Sequence, residues 1–267
     1  MAHYKVTLAY DGTQFEGFQR QGQARTVQLE LEAALRRLNW QGRAVLASGR
    51  TDSGVHATGQ VIAFDLDWSH SLEALGKALN ANLPEDVVIR AVEEVDPSFH
   101  PRYDAVQRCY RYTVQFSPIR DPLRDRYVWR VWPPCEVDLL HAAARLLPGT
   151  HDFAAFGTPP RPGGSTIRTV YQAAWQEREE GLLSFVVIAN AFLYHMVRRM
   201  VYVQVMVGQR RISLEDLQAA VDHAKPLLPG LALPQGLALQ QVFYDPKRTD
   251  READRGTGNK NELDYLE

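Results

Sequence analysis

The chain has 267 residues, of which 45% are hydrophobic, 10% aromatic and 23% charged, with a formal net charge of −2. It reads as a soluble globular protein long enough for one large domain or two small ones, and its balanced charge gives no blanket attraction for nucleic acid. The apolar run Val201 to Val207 is far too short to span a membrane, Met1 to Tyr4 has no signal-peptide layout, and two cysteines without Cys-x-x-Cys spacing suit a reducing cytoplasm and argue against structural zinc.

Tyr4 to Tyr10 alternates with period two, which predicts a half-buried strand. Thr26 can cap a helix whose apolar positions Val27, Leu31, Ala34, Leu35 and Leu38 share one face. Strands near residues 43–48 and 58–66 follow. Between them, Ser48, Arg50, Thr51 and Ser53 crowd a single carboxylate, Asp52. Gly49 and Gly54 bracket it with backbone able to take left-handed or tightly turned conformations. On its residues alone, this run is either an Asx-type turn capped by its own carboxylate or a catalytic loop held between buried strands. A helix from about Leu72 to Ala81, with Ser71 as its cap, leads through Pro84 to a strand over 87–92. The β-α-β-β-α-β order is that of a ferredoxin-like unit.

The pattern restarts at Arg108, where Tyr110 to Phe116 mirrors Tyr4 to Tyr10. A helix through Val137, Leu140, Ala144 and Leu147 follows, then strands near 166–177 and 182–189. A long helix is expected from about Phe192 to Val207, another from Leu214 to about His223 capped by Ser213, and a closing strand near 237–243. The fold expected is α+β, with two similar ferredoxin-like halves spanning residues 1–105 and 106–245. Thr158 to Ser165, rich in Pro and Gly, is a loop that serves either as a lid or as a surface excursion. Residues 246–267 form a polar tail, in which 246–261 hold only Ala253 as an aliphatic side chain; it is expected to be mobile or docked on a partner.

Gly49-Arg50-Thr51-Asp52-Ser53-Gly54-Val55-His56-Ala57 resembles the signature of the TruA-type tRNA pseudouridine synthases. Further motifs stand in family order. Tyr10-Asp11-Gly12-Thr13 and Gly17-Phe18-Gln19-Arg20-Gln21 are similar to the opening motif, with Phe18 where the family has tryptophan. Asn80 to Pro84, Asp86 and Phe99-His100-Pro101-Arg102-Tyr103 resemble the middle segment. Arg108-Cys109-Tyr110-Arg111-Tyr112, Phe192 to Arg198 and Gly236 to Leu239 complete the set, so the resemblance covers about residues 4–245. It implies joined antiparallel sheets with a central RNA-binding cleft, a homodimer, and conversion of uridine to pseudouridine at positions 38–40 of the tRNA anticodon stem-loop. It implies neither metal nor cofactor.

Pseudouridine formation breaks the bond between ribose C1′ and uracil N1, turns the base and rejoins it through C5. It needs an ionised carboxylate, which either adds covalently to the nucleoside or removes a ribose proton to give a glycal; both routes stay open. The resemblance assigns this role to Asp52. It also implies that Arg198 pairs with Asp52 to offset its desolvation. Arg50, two residues before the acid, is expected to hold RNA backbone or support the flipped nucleotide. Tyr110 is expected to stack on uracil and help remove the C5 proton. His56 and Gln60 are expected RNA contacts, and Asp11, Gln19, Arg20 and Gln21 are expected to line the RNA approach. Tyr112 and His195 read as structural, and Arg199, where the family has Asn, is expected to face solvent or phosphate. Of the 30 basic residues 25 are Arg, which suits phosphate and base recognition but is also what a GC-rich genome would produce. Two other readings use the same residues: a tRNA-binding protein without catalysis, and a hydrolase with Asp52 as nucleophile, for which no second carboxylate or metal-binding acid cluster accompanies the loop.

Overall fold

In the computed structural model, which describes residues 1–245, the first half runs β1 (Ala2–Tyr10), α1 (Val27–Arg37), β2 (Leu46–Ala47), β3 (His56–Leu66), α2 (Leu72–Asn82) and β4 (Val87–Val95). The second half runs β5 (Ala105–Phe116), β6 (Trp129–Val131), α3 (Val137–Arg145), β7 (Gly149–Asp152), β8 (Ile167–Glu179), β9 (Leu182–Ala189), α4 (Met196–Gly208), α5 (Leu214–His223) and β10 (Leu237–Tyr244). The expected tail, 246–267, lies outside the described residues. The helix starts follow the capping chemistry: Thr26, Ser71 and Ser213 each accept a backbone N–H of the first turn with their side chains. No helix among the described residues is long and apolar enough to cross a membrane.

The strands form one large open sheet in the order β4-β1-β3-β10-β5-β9-β8-β7, with β2 added on β3 and β6 on β5. Pairing is antiparallel except at β3–β10 and β5–β6. The α+β class therefore stands, as a mixed fold on a mostly antiparallel sheet. Period-two alternation sends Tyr4, Val6 and Leu8 of β1 into a first core with Val27, Leu31 and Leu35 of α1 and Leu75 and Leu79 of α2. A second core gathers Tyr112 and Val114 of β5 with Leu140 of α3, Met200 and Val203 of α4 and Leu217 of α5. Inside it, the buried Gln204 is satisfied by the Trp175 indole N–H at 2.8 Å and by the Met200 carbonyl at 3.1 Å.

Three local departures from the sequence pattern have physical causes. The strand expected over 43–48 shrinks to Leu46–Ala47, because the Val45 N–H leaves the ladder and donates to the buried Glu32 carboxylate. The long helix starts at Met196, not Phe192, because His195 sits in a left-handed conformation with φ 65° and Thr158 and Tyr194 form a β-bridge. Two short strands, β6 and β7, carry too few residues to show a period.

The halves meet where β10 runs parallel to β3, through Ala238 opposite His56 and Leu239 opposite Ala57. The cores interlock there: Val55 belongs to the second, Leu239 and Val242 belong to the first, and Tyr110 packs against both. The seam has no room for a side chain at Gly59, whose added Cβ would lie 2.2 Å from the Gln240 carbonyl oxygen. Gly59→Ala is expected to destabilise the protein by about 1–3 kcal/mol through overpacking, read as a lowered urea midpoint with an unchanged m-value. An unchanged midpoint would show that this seam is not tightly packed.

Candidate active site

The segment Ser48 to Val55 leaves β2 and enters β3, and it is held from two sides. From the sheet, the fully buried Gln60 accepts the Ser48 hydroxyl at 2.6 Å and donates to the Gly49 carbonyl at 3.1 Å. From the N-terminal strap after β1, the Phe18 N–H donates to the Thr51 carbonyl at 3.0 Å and the Tyr10 hydroxyl meets Thr51 Oγ1 at 2.8 Å. Phe15 offers its carbonyl to the N–H of Gly54 at 3.2 Å and to the Ser53 hydroxyl at 3.3 Å. Gly17 makes this approach possible: its φ is 86°, and a Cβ there would stand 2.7 Å from the Thr51 carbonyl oxygen. Gly54 also takes a positive φ, 75°, whereas Gly49 neither takes a left-handed conformation nor meets any atom at the position of a Cβ. The strap itself is anchored by Arg25, which grips Asp86 with two hydrogen bonds of 2.7 and 3.0 Å.

Asp52 is thereby presented on a rigid turn to the second half of the chain. Arg198, two residues into α4, donates from Nη1 to Asp52 Oδ2 at 2.8 Å and from Nε to the Ala232 carbonyl at 2.8 Å. Its side chain is 12% exposed and that of Asp52 23%, so the pair is largely withdrawn from water. His195 Nε2 lies 3.4 Å from the same Oδ2. Among the described residues none donates to Oδ1. Tyr110, on the core side of β5, stands edge-on to Phe192 with ring centroids 5.0 Å apart. Burial pushes the Tyr110 hydroxyl up to about 12, Arg108 pulls it down, and the Asp52 charge pushes it up again.

The structure thus brings Asp52, Arg198 and Tyr110 into one neighbourhood. Arg50 is exposed beside them and makes no ion pair among the described residues; burial and then the nearby Arg102 charge lower its pKa. His56 and Gln60, expected as RNA contacts, are both buried, and their polar atoms bond within the protein. The His56 ring accepts the Gly12 N–H at Nδ1 and faces the Arg126 carbonyl from Nε2, both at 3.0 Å. Arg20 is half-exposed but tied to the buried Glu32 at 2.8 Å, and the exposed Gln21 donates to the Glu16 carbonyl at 2.7 Å. Gln19 is exposed, while Asp11 accepts the Tyr127 hydroxyl at 2.8 Å. Tyr112 is fully buried, its hydroxyl on the Leu233 carbonyl at 2.6 Å.

Two further side chains belong to this neighbourhood: His195, read from the sequence as structural, and Arg108, named there only as part of the tyrosine motif. His195 precedes the first residue of α4, and its left-handed backbone turns its ring toward Asp52, which Arg198 also reaches. Arg108 shares its strand face with Tyr110 by alternation. Its guanidinium donates to the carbonyls of Ser48, Arg102 and Asn190 at 3.1, 2.9 and 3.0 Å, knitting three segments together behind the site.

A family profile described as tRNA pseudouridine synthase matches residues 7–104 and 143–245, more than half of the chain. Curated relatives carry the name tRNA pseudouridine synthase A. One from Geobacillus sp. (strain WCH70) is 44% identical over 244 residues, covering 90% of this chain and 98% of the relative. One from Chloroflexus aurantiacus is 41% identical over 247 residues, covering 90% and 88%. One from Streptococcus pneumoniae is 38% identical over 249 residues, covering 92% and 100%.

The raised Tyr110 pKa has a consequence for alkaline stability. The hydroxyl ionises at 10.0 when exposed and at about 12 here, so the unfolded chain loses this proton first as pH rises. The stability it contributes is whole below pH 10 and is lost between about pH 10 and 12. Tyr110→Phe should therefore flatten the fall of Tm over that interval, and an unchanged slope would contradict burial of the hydroxyl.

Proposed function

The chain belongs to the tRNA pseudouridine synthase family, and from that premise we propose that it converts uridine to pseudouridine at positions 38–40 of the tRNA anticodon stem-loop, with Asp52 as the catalytic carboxylate. As a member of that family the protein is an isomerase acting on uridine in tRNA. The choice of the anticodon stem-loop rests on the set of sequence motifs, as does assembly as a homodimer, while a place in the cytoplasm rests on the sparse, unpaired cysteines. The observation that carries the assignment of Asp52 is its pairing: a carboxylate on the signature loop, held at one oxygen by Arg198, with no donor to the other oxygen among the described residues.

Each role follows from chemistry. Arg198 pairs with the Asp52 carboxylate, the group that either adds to the nucleoside or removes a ribose proton. Tyr110 lies beside this carboxylate with its hydroxyl protonated at neutral pH, so its ring stacks on the base and its O–H serves as a hydrogen-bond donor and proton relay near C5. Arg50 and Arg102, without carboxylate partners among the described residues, are available to the phosphates of a flipped nucleotide. Those contacts offset the few kcal/mol that unstacking a uridine costs. Gln60 and His56 act behind the loop, and Arg20 and Gln21 border it.

The strand orders β4-β1-β3-β2 and β10-β5-β9-β8 are equivalent, which supports two ferredoxin-like halves, 1–105 and 106–245. Asp52 from the first meets Arg198 from the second, which supports an RNA-binding cleft at their junction.

The test is tritium release from tRNA labelled at uridine C5, followed in single turnover. Wild-type protein is expected to release one tritium per pseudouridine formed, and Asp52→Ala to release none. Arg198→Lys should lose about 10²-fold, because one ammonium cannot hold the Ala232 carbonyl and Asp52 together and the carboxylate shifts. Tight tRNA binding by wild type without any release would favour a non-catalytic tRNA-binding protein instead.

A further inference from the structure

His195 occupies the N-cap position of α4, yet its side chain makes no capping hydrogen bond. Its backbone is left-handed, φ 65° and ψ 1°, a region that residues other than Gly enter uncommonly, His among those that do so more often. Its ring lies flat on Tyr194, with centroids 3.7 Å apart and planes 27° from parallel. That stack fixes the ring plane and brings Nε2 to 3.4 Å from Asp52 Oδ2.

We infer that His195 is a positioning residue for Asp52, acting with Arg198 to hold Oδ2 so that Oδ1 is the oxygen presented to the nucleotide. The inference rests on Asp52 being the reacting carboxylate. The two holding groups, one from the N-cap and one from the first turn of α4, converge on one atom from different directions, which fixes the rotation of the carboxylate as a single donor could not. At 3.4 Å the histidine contact is longer than a formed hydrogen bond. Such contacts tighten when an active site fills.

The charged groups facing the ring are Asp52 from the signature loop and Arg198 from α4, while Arg199 and Tyr194 border it in a cavity of about 430 Å³ with Phe156 and Thr158. Burial lowers the imidazole pKa below 6.5, Asp52 raises it and Arg198 lowers it. The ring is therefore neutral at pH 7 and gives Nε2–H to Oδ2 without adding charge. On acidification it becomes a second cation beside Asp52, which weakens that carboxylate as a nucleophile or base, so activity falls on the acid side.

The experiment compares single-turnover rates, tRNA Kd and pH–rate profiles of wild-type protein with His195→Ala, His195→Gln and His195→Gly. His195→Ala should lose about tenfold or more in rate through a misplaced carboxylate, keep its tRNA Kd within about twofold, and shift the acid limb of the profile to lower pH. His195→Gln, whose amide N–H reaches where Nε2 stands, should recover part of the rate while keeping the acid limb at that lower pH. His195→Gly relieves the left-handed backbone, so it should melt no lower than wild type and yet be as slow as His195→Ala. Wild-type rates and profiles in all three variants, or losses confined to tRNA Kd, would overturn the inference while leaving Asp52 in place. Absence of tritium release from wild type would overturn the functional reading itself, and this inference with it.

Discussion

One ion pair organises this molecule: Asp52 and Arg198, 146 residues apart and 2.8 Å from one another. Withdrawing either charge from water is unfavourable unless the other is present and further hydrogen bonds complete the arrangement. Both conditions are met by rigid elements. The Ala232 carbonyl takes the Arg198 Nε–H, α4 is anchored in the second core, and the turn carrying Asp52 is pinned to the strap after β1 and to Gln60 of β3. The pair thus reports on the register of the two halves as much as on chemistry.

The same logic explains why motifs far apart in the chain belong together. The strap from Gly12 to Phe18 holds the signature loop through Phe15 and Phe18, and Arg25 with Asp86 locks that strap to the start of β4. Arg108 ties the first residue of the loop to the segment before β5 and to the end of β9 through three carbonyls. Such a guanidinium, with only carbonyl acceptors among the described residues, adds positive charge beside Asp52 that favours a polyanionic substrate. Net charge of −2 hides this local field.

Much of this was legible in the sequence because it depends on local rules. Hydroxyl caps at Thr26, Ser71 and Ser213 marked three helix starts, and period-two alternation marked β1 and its mirror in β5. The signature run and the His-Met-Val-Arg turn pointed to Asp52 and Arg198. What stayed hidden depends on tertiary competition. Val45 gives its N–H to a buried Glu32 from another element, so a strand-like stretch is mostly not strand. His56 and Gln60 follow the loop as polar residues do at a surface, yet the β3–β10 seam and the loop fold over them. A left-handed histidine has no sequence signature, so both the late start of α4 and the reach of His195 to Asp52 had to come from the structure.

The most direct measurement is a double-mutant cycle in unfolding free energy, with Asp52→Ala, Arg198→Ala and the double variant followed by urea denaturation. If the pair joins the halves as described, the two substitutions are non-additive, with a coupling above about 1 kcal/mol. Additive losses, with coupling near zero, would mean that Asp52 and Arg198 are neighbours without being partners, and would contradict the account at its centre.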